Sequence, residues 1–194
     1  MNSEVPRPLR GNHSRAHNRR IREGFYKKYI NGTGIDIGCR YYDRAITKHC
    51  DLWDIDRGDA TYMPGVPDDS YDFVIASHIL EHLKDYNIAI QNWRRILKPG
   101  GYLIICVPER DLFEKKKTLP SDRNKDHKTY WKLNESEPPC TLNFIEVLQS
   151  NLEPKDNIEY AKECSEGHEQ AQDQSKDYPD GEFQLEAVIR KGTV

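Results

Sequence analysis

Four short apolar runs, residues 35–37, 73–76, 103–107 and 185–189, carry most of the hydrophobicity of this 194-residue chain, and long polar stretches separate them. Short apolar runs bounded by glycine, aspartate or proline read as buried strands. "GIDIG" (34–38) is the first strand and "CDLWD" (50–54) the second. Only "IDRG" parts the second from "DAT" (59–61), so the third is vestigial. "YDFVIAS" (71–77) is the fourth, and "YLIICVP" (102–108) is the fifth, apolar throughout as a strand covered on both faces should be.

Helical spacing fills the intervals. Ser14 is placed to cap a helix running to about Tyr29, with Ile21, Phe25, Tyr29 and Ile30 on one stripe. Over residues 88–97, Ile88, Ile90, Trp93, Ile96 and Leu97 form the buried side of an amphipathic helix. "KPGG" (98–101) stops it, because proline cannot continue a helix and glycine accepts the left-handed cap. Residues 109–139 are polar and highly charged, with Tyr130 and Trp131 as their main aromatics, and read as a long loop or lid. A last helix over 144–152 precedes two strands, 157–164 and 182–191, joined by a very polar connection. This order predicts a single α/β domain over residues 13–194, behind a loose start at 1–12. Its sheet is mainly parallel with an antiparallel C-terminal edge, and helices cover both faces.

Composition narrows the class. Hydrophobic residues make up 36% and charged residues 31%, with a mean hydropathy of −0.88, which suits one modest domain. No apolar run approaches the ~20 residues of a membrane span. Five cysteines, an odd number, lack the spacing of a disulfide framework, and no apolar leader follows Met1, so a reducing cytoplasm is the expected compartment. Up to Lys28 there are eight Lys or Arg against two acids, which reads as a basic first helix on an acidic domain.

Candidate chemistry gathers at the strand ends, where open α/β sheets bind ligands. Asp36, Gly38 and Cys39 end the first strand, and glycine there lets the backbone approach a ligand closely. A dinucleotide fingerprint would need its glycines after this strand, whereas Gly32 and Gly34 precede Asp36, so NAD is disfavoured. Taken together, "DIG" (36–38), "YDFV" (71–74) with "LEHL" (80–83), and "ILKPGG" (96–101) before an apolar strand resemble the class I S-adenosylmethionine (SAM) dependent methyltransferases, over about residues 24–191.

That resemblance implies a Rossmann-like seven-stranded sheet of order 3-2-1-4-5-7-6, with S-adenosyl-L-methionine as cofactor. It implies that Asp54 accepts the two ribose hydroxyls, with Asp56 as the competing register, and that Ile55 covers the adenine. Asp59 and Ala60 would meet the adenine edge, and Ser77 and His78 would border cofactor and acceptor. One departure stands out: the family continues Asp-x-Gly-x-Gly, but Arg40 occupies the second glycine position. Either the loop is wider and Arg40 meets a carboxylate, or cofactor binding is weakened.

His78, Glu81 and His82 also spell H-x-x-E-H, an inverted zinc-peptidase signature. The sequence indicates no third ligand, so no metal is expected, and in the resembling family "LEH" is a packing feature. The implied reaction is displacement at the SAM methyl carbon by an oxygen or nitrogen of a small acceptor. A hydroxyl acceptor must also lose a proton, which suits a histidine: His127 in "DHKTYW" is the first candidate base and His78 the second. The Pro-Cys at 139–140 follows the fifth strand rather than the fourth, and the fourth-strand exit lacks the Asn-Pro-Pro-Tyr type sequence, so nucleic acid is disfavoured as acceptor. Polar loops lean toward a sugar or other hydrophilic metabolite. The competing expectation is a non-catalytic SAM-fold scaffold, which Arg40 and the shortened third-strand region would suit.

Overall fold

Side chains alternate across the strands and so divide the core into two layers. The computed structural model describes residues 11–170 and 178–193. Six strands form one sheet in the order β2-β1-β3-β4-β8-β7. They are β1 (Gly34–Ile37), β2 (Asp51–Trp53), β3 (Tyr71–Ser77), β4 (Leu97–Pro108), β7 (Asn157–Cys164) and β8 (Gln184–Arg190). The first four run parallel, and β8 pairs antiparallel with both β4 and β7. Ile35, Ile37, Val74, Ala76, Leu103 and Ile105 face a layer holding α3 (Tyr86–Arg95) and α5 (Phe144–Ser150). Their neighbours Phe73, Ile75, Ile104 and Cys106 face Phe25 and Tyr29 of α2 (Phe25–Tyr29). Helices therefore cover both faces of the sheet.

The sheet has six strands rather than the seven expected, because residues 59–61 turn instead of extending. The amides of Tyr62 and Met63 both donate to the Asp59 carbonyl. Trp93 Nε1 and Asn92 Nδ2 of α3 donate to the carbonyls of Ala60 and Thr61 at 2.9 and 3.0 Å. Backbone groups spent on a turn and on a helix are not available to a ladder. The remaining order is the expected one with its outermost strand missing.

The expected helix from Ser14 to Tyr29 is two. α1 (Gly11–Arg22) ends before Gly24, whose φ of 69° is the left-handed region that glycine adopts without penalty, and α2 follows. The loose start lies outside the described residues as far as residue 10, while Gly11 and Asn12 are already helical. α1 docks on β8 through charge: Arg19 bonds Glu182 and Glu186 at 2.9 Å each, and Arg20 reaches Glu186 at 2.7 Å, all four side chains being buried. "KPGG" lies inside β4 rather than capping α3, since the Gly100 amide and Gly101 carbonyl both bond Lys191.

Residues 109–139 are not a plain loop. They carry α4 (Arg110–Phe113) and β5 (Tyr130–Lys132), which pairs in parallel with β6 (Thr141–Asn143). Arg110 holds Glu137 at 2.6 Å, and the fully buried Trp131 packs edge-on against Phe144 and Tyr86. The ion pair closes the segment on itself, and Trp131 fastens it to α3 and α5.

Candidate active site

At the carboxyl ends of β1, β2, β3 and β4 lies a cavity of about 750 Å³. Its walls include Asp36, Gly38, Cys39, Arg40, Asp54, Ser77, His78 and His127, brought together from all along the sequence. Ile55, Asp59 and Ala60 are not among its lining residues. Ile55 is 72% exposed beside Asp54, and Asp59 and Ala60 are engaged by the turn above α3. Asp56 does not line it either.

The β1 exit is fixed by backbone. Gly38, at φ 83°, donates its amide to the Trp53 carbonyl at 2.7 Å, joining the ends of β1 and β2. A Cβ there would stand 3.0 Å from that of Ile79. The buried Asp36 accepts the Ile46 amide at 2.7 Å, which folds residues 40–46 back over the strand end. Burial pushes the Cys39 thiol up to about 11, so it is no ready nucleophile. Asp54 receives its own neighbour's amide, that of Ile55, at 2.7 Å on Oδ1, and Arg40 Nε at 3.1 Å on Oδ2. The carboxylate that Arg40 meets is thus that of Asp54 itself, a contact that leaves both readings of Arg40 open.

The opposite wall is a cluster of histidines around one buried carboxyl. His78 follows β3 with φ at 56°, a strained conformation for a residue with a Cβ and one that recurs at functional sites. Its Nε2 lies 2.9 Å from Asn12 Nδ2 and 3.0 Å from Gln184 Oε1. His82 belongs to the short 3-10 turn Leu80–His82. His127 is brought alongside by the Lys128 amide, which donates to the Glu81 carbonyl at 2.7 Å, and its ring stacks on Phe113. Glu81 Oε1 then stands 3.7 Å from His78 Nδ1 and 3.9 Å from Nε2 of both His82 and His127.

These separations exceed hydrogen-bond length. Burial lowers His78 and His127 to about 4, lowers His82 as well, and raises Glu81 to about 8. Burial thus disfavours charge on every member of the cluster, so these contacts are not ordinary ion pairs. Asn12, Glu81, His82, Phe113 and Phe183 line the cavity without having been singled out as site residues. For Glu81 and His82 the H-x-x-E-H spacing was the available signal. For Asn12 none existed, because a polar residue beside prolines and glycine looks like a tail.

A nucleotide-sized cavity at the carboxyl ends of parallel strands, with a carboxylate on one wall and titratable groups on the other, defines a cofactor-using α/β enzyme site. The cavity volume, the close backbone at Gly38 and the acceptor at Asp54 fit SAM, provided Arg40 yields one Asp54 oxygen. Residues 19–105 match the family described as "Methyltransferase domain". The fusarielin synthase of Gibberella zeae is 33% identical over 85 residues, 40% of this chain and 3% of that protein. The demethylmenaquinone methyltransferase of Staphylococcus haemolyticus is 34% identical over 77 residues, 39% of this chain and 31% of that protein. The chain thus matches only a small part of the length of these relatives. Among solved structures, a SAM-dependent methyltransferase from Archaeoglobus fulgidus superposes with a TM-score of 0.52 at 17% identity, covering 93% of this chain and 95% of that one. The match over residues 19–105 and the shared fold support a class I SAM-dependent methyltransferase, with S-adenosyl-L-methionine as the implied cofactor.

Proposed function

We propose that the chain transfers the SAM methyl group to an oxygen or nitrogen of a small hydrophilic acceptor, a sugar or similar metabolite. The observation that carries this is the single cavity that joins Asp54, at the end of β2, to the histidine cluster beyond β3. Bound there, SAM supplies a methyl group on a sulfonium, an excellent leaving group that asks the protein chiefly for alignment. In this reading Asp54 holds the ribose hydroxyls, with Ile55 over the adenine and Asp59 and Ala60 at its outer edge. Asp36 and Gly38 shape the floor, and Cys39 and Ser77 border it. Arg40 swings from Asp54 toward the carboxylate end of the cofactor.

His127, uncharged at neutral pH and 5% exposed, takes the acceptor proton, with His78 as the second candidate. A hydrophilic acceptor suits the acceptor half, where Asn12, His78, Asn124 and His127 offer polar atoms. No described helix is long and apolar enough to cross a membrane. The five free thiols suit a reducing cytoplasm. Calorimetric titration with SAM and S-adenosylhomocysteine, with Asp54→Ala as control, tests the pocket. S-adenosylhomocysteine release across a panel of hydroxylated and amino acceptors tests the transfer.

The Arg40 contact to Asp54 supports a second reading, a SAM-fold scaffold without turnover. SAM binding with no S-adenosylhomocysteine formed on any acceptor would favour it.

A further inference from the structure

We propose that Glu81, His82 and His127 bind one divalent transition-metal ion of the zinc class, whose open coordination position faces the cavity and takes an oxygen of the methyl acceptor. The acceptor role rests on the methyltransferase reading above and names the chemistry that recognises the acceptor. One donor atom from each of the three residues lies within 4.8 Å of the others. Tetrahedral zinc with ligands at about 2.0–2.1 Å holds neighbouring donors roughly 3.3 Å apart. The two glutamate–histidine separations of 3.9 Å then shorten by only about half an ångström.

A second observation is independent of that geometry. Glu81 is 1% exposed, and its Oε2 has no hydrogen-bond partner among the described residues. Oε1 faces the two histidines and Oε2 is the orphan, so a cation held by the carboxylate would compensate a buried group that protein donors leave unsatisfied. The surroundings also hold the ligands in place as second-shell groups do. His127 stacks on Phe113 at 5.4 Å, and the Lys128 amide clamps the Glu81 carbonyl.

Two imidazoles and one carboxylate leave a coordination position free, as reactive rather than purely structural zinc sites do. His78 Nδ1, 3.7 Å from Glu81 Oε1, stands beside that position. An acceptor hydroxyl or carboxylate oxygen is the ligand such an ion takes. With the ion bound, His127 is a ligand; the cation acidifies the acceptor hydroxyl and His78, the second candidate base, takes its proton.

The test is calorimetric titration of the EDTA-treated full chain with Zn²⁺, and with Co²⁺ followed by visible absorption. We expect one equivalent bound, the intense d–d bands of a low-coordinate site, and an affinity reduced by about 100-fold or more in His82→Ala and in His127→Ala. Glu81→Gln should behave alike; if it fails to fold, the two histidine variants decide. A folded protein that takes up no Zn²⁺, or one whose affinity is unchanged in both histidine variants because the ion sits on its cysteines, would overturn the proposal. SAM titration alongside separates the two claims. SAM binding without metal binding sinks the ion site alone, whereas metal binding without SAM binding sinks the methyltransferase reading and the acceptor role while the ion site stands.

Discussion

The guanidinium of Arg40 lies 3.1 Å from Asp54 Oδ2, so the residue in the place of the second motif glycine pairs with the carboxylate proposed to hold the ribose. Asp54 raises the Arg40 pKa, and both side chains are partly open to solvent. An ion pair in that setting is weak and easily exchanged for another partner. The substitution is thus compatible with a working pocket, since the arginine occupies its carboxylate without locking it.

Asp54→Ala should weaken SAM binding about 10–100-fold while leaving the fold intact, because it removes charged acceptors from two ligand hydroxyls. Arg40→Gly should change affinity only a few-fold, in the tightening direction if competition for Asp54 outweighs contact with the cofactor. Calorimetry on both variants, with circular dichroism as a folding control, separates these outcomes. Equal loss in both would show that Arg40 itself carries cofactor contacts.

Gly38→Ala places a side chain at φ 83° and 3.0 Å from the Ile79 Cβ. The left-handed conformation costs an alanine about 1–2 kcal/mol, and in the proposed reading the cofactor passes close to the same stretch of backbone. Melting should report a loss of that size, and SAM affinity should fall beyond it. Loss of stability with affinity intact would confine Gly38 to a structural role.

Much of the fold was legible because strands buried on both faces leave continuous apolar runs. β3 and the later part of β4 coincide with runs that composition alone marks out. Of the two competing registers, the structure puts Asp54, not Asp56, on the cavity wall. What sequence could not show was convergence at a distance. His127 joins Glu81 and His82 only because the Lys128 amide finds the Glu81 carbonyl, a contact with no local periodicity. The missing outer strand was likewise invisible, since the groups that claim Ala60 and Thr61 belong to side chains of α3.

Acid should loosen α1 from the sheet. Burial alone would raise the Glu186 carboxyl, but Arg20 and Arg19 outweigh it and hold the group at about 2, against 4.5 for a free glutamate. A depressed carboxyl contributes stability that is complete above its unfolded value and is lost as pH falls through the folded one. The Glu186 contribution, about 3 kcal/mol, should therefore disappear between pH 4.5 and about 2. Neighbouring Glu182 is raised by burial and acts with the opposite sign. Urea unfolding at a series of pH values should show the decline, and Glu186→Gln should flatten it while costing about 3–5 kcal/mol at neutral pH, chiefly by leaving Arg20 buried without its carboxylate while Arg19 keeps Glu182.

The acceptor half should depend on a residue that never touches it. Trp131 is fully buried between Tyr86 and Phe144, and its strand β5 holds down the segment that delivers His127. Its Nε1 has no hydrogen-bond partner among the described residues, so the ring contributes by packing alone. Trp131→Ala should cost about 3–5 kcal/mol. Trp131→Phe should cost much less, because it keeps aromatic contact and removes an unpaired donor. If the segment positions His127, Trp131→Ala should depress turnover more than SAM affinity at a temperature where it remains folded, and Trp131→Phe should restore most of it. Calorimetry and single-turnover assays on the pair check this, and equal loss of SAM affinity and turnover would mean that the whole domain, not the acceptor wall, had loosened.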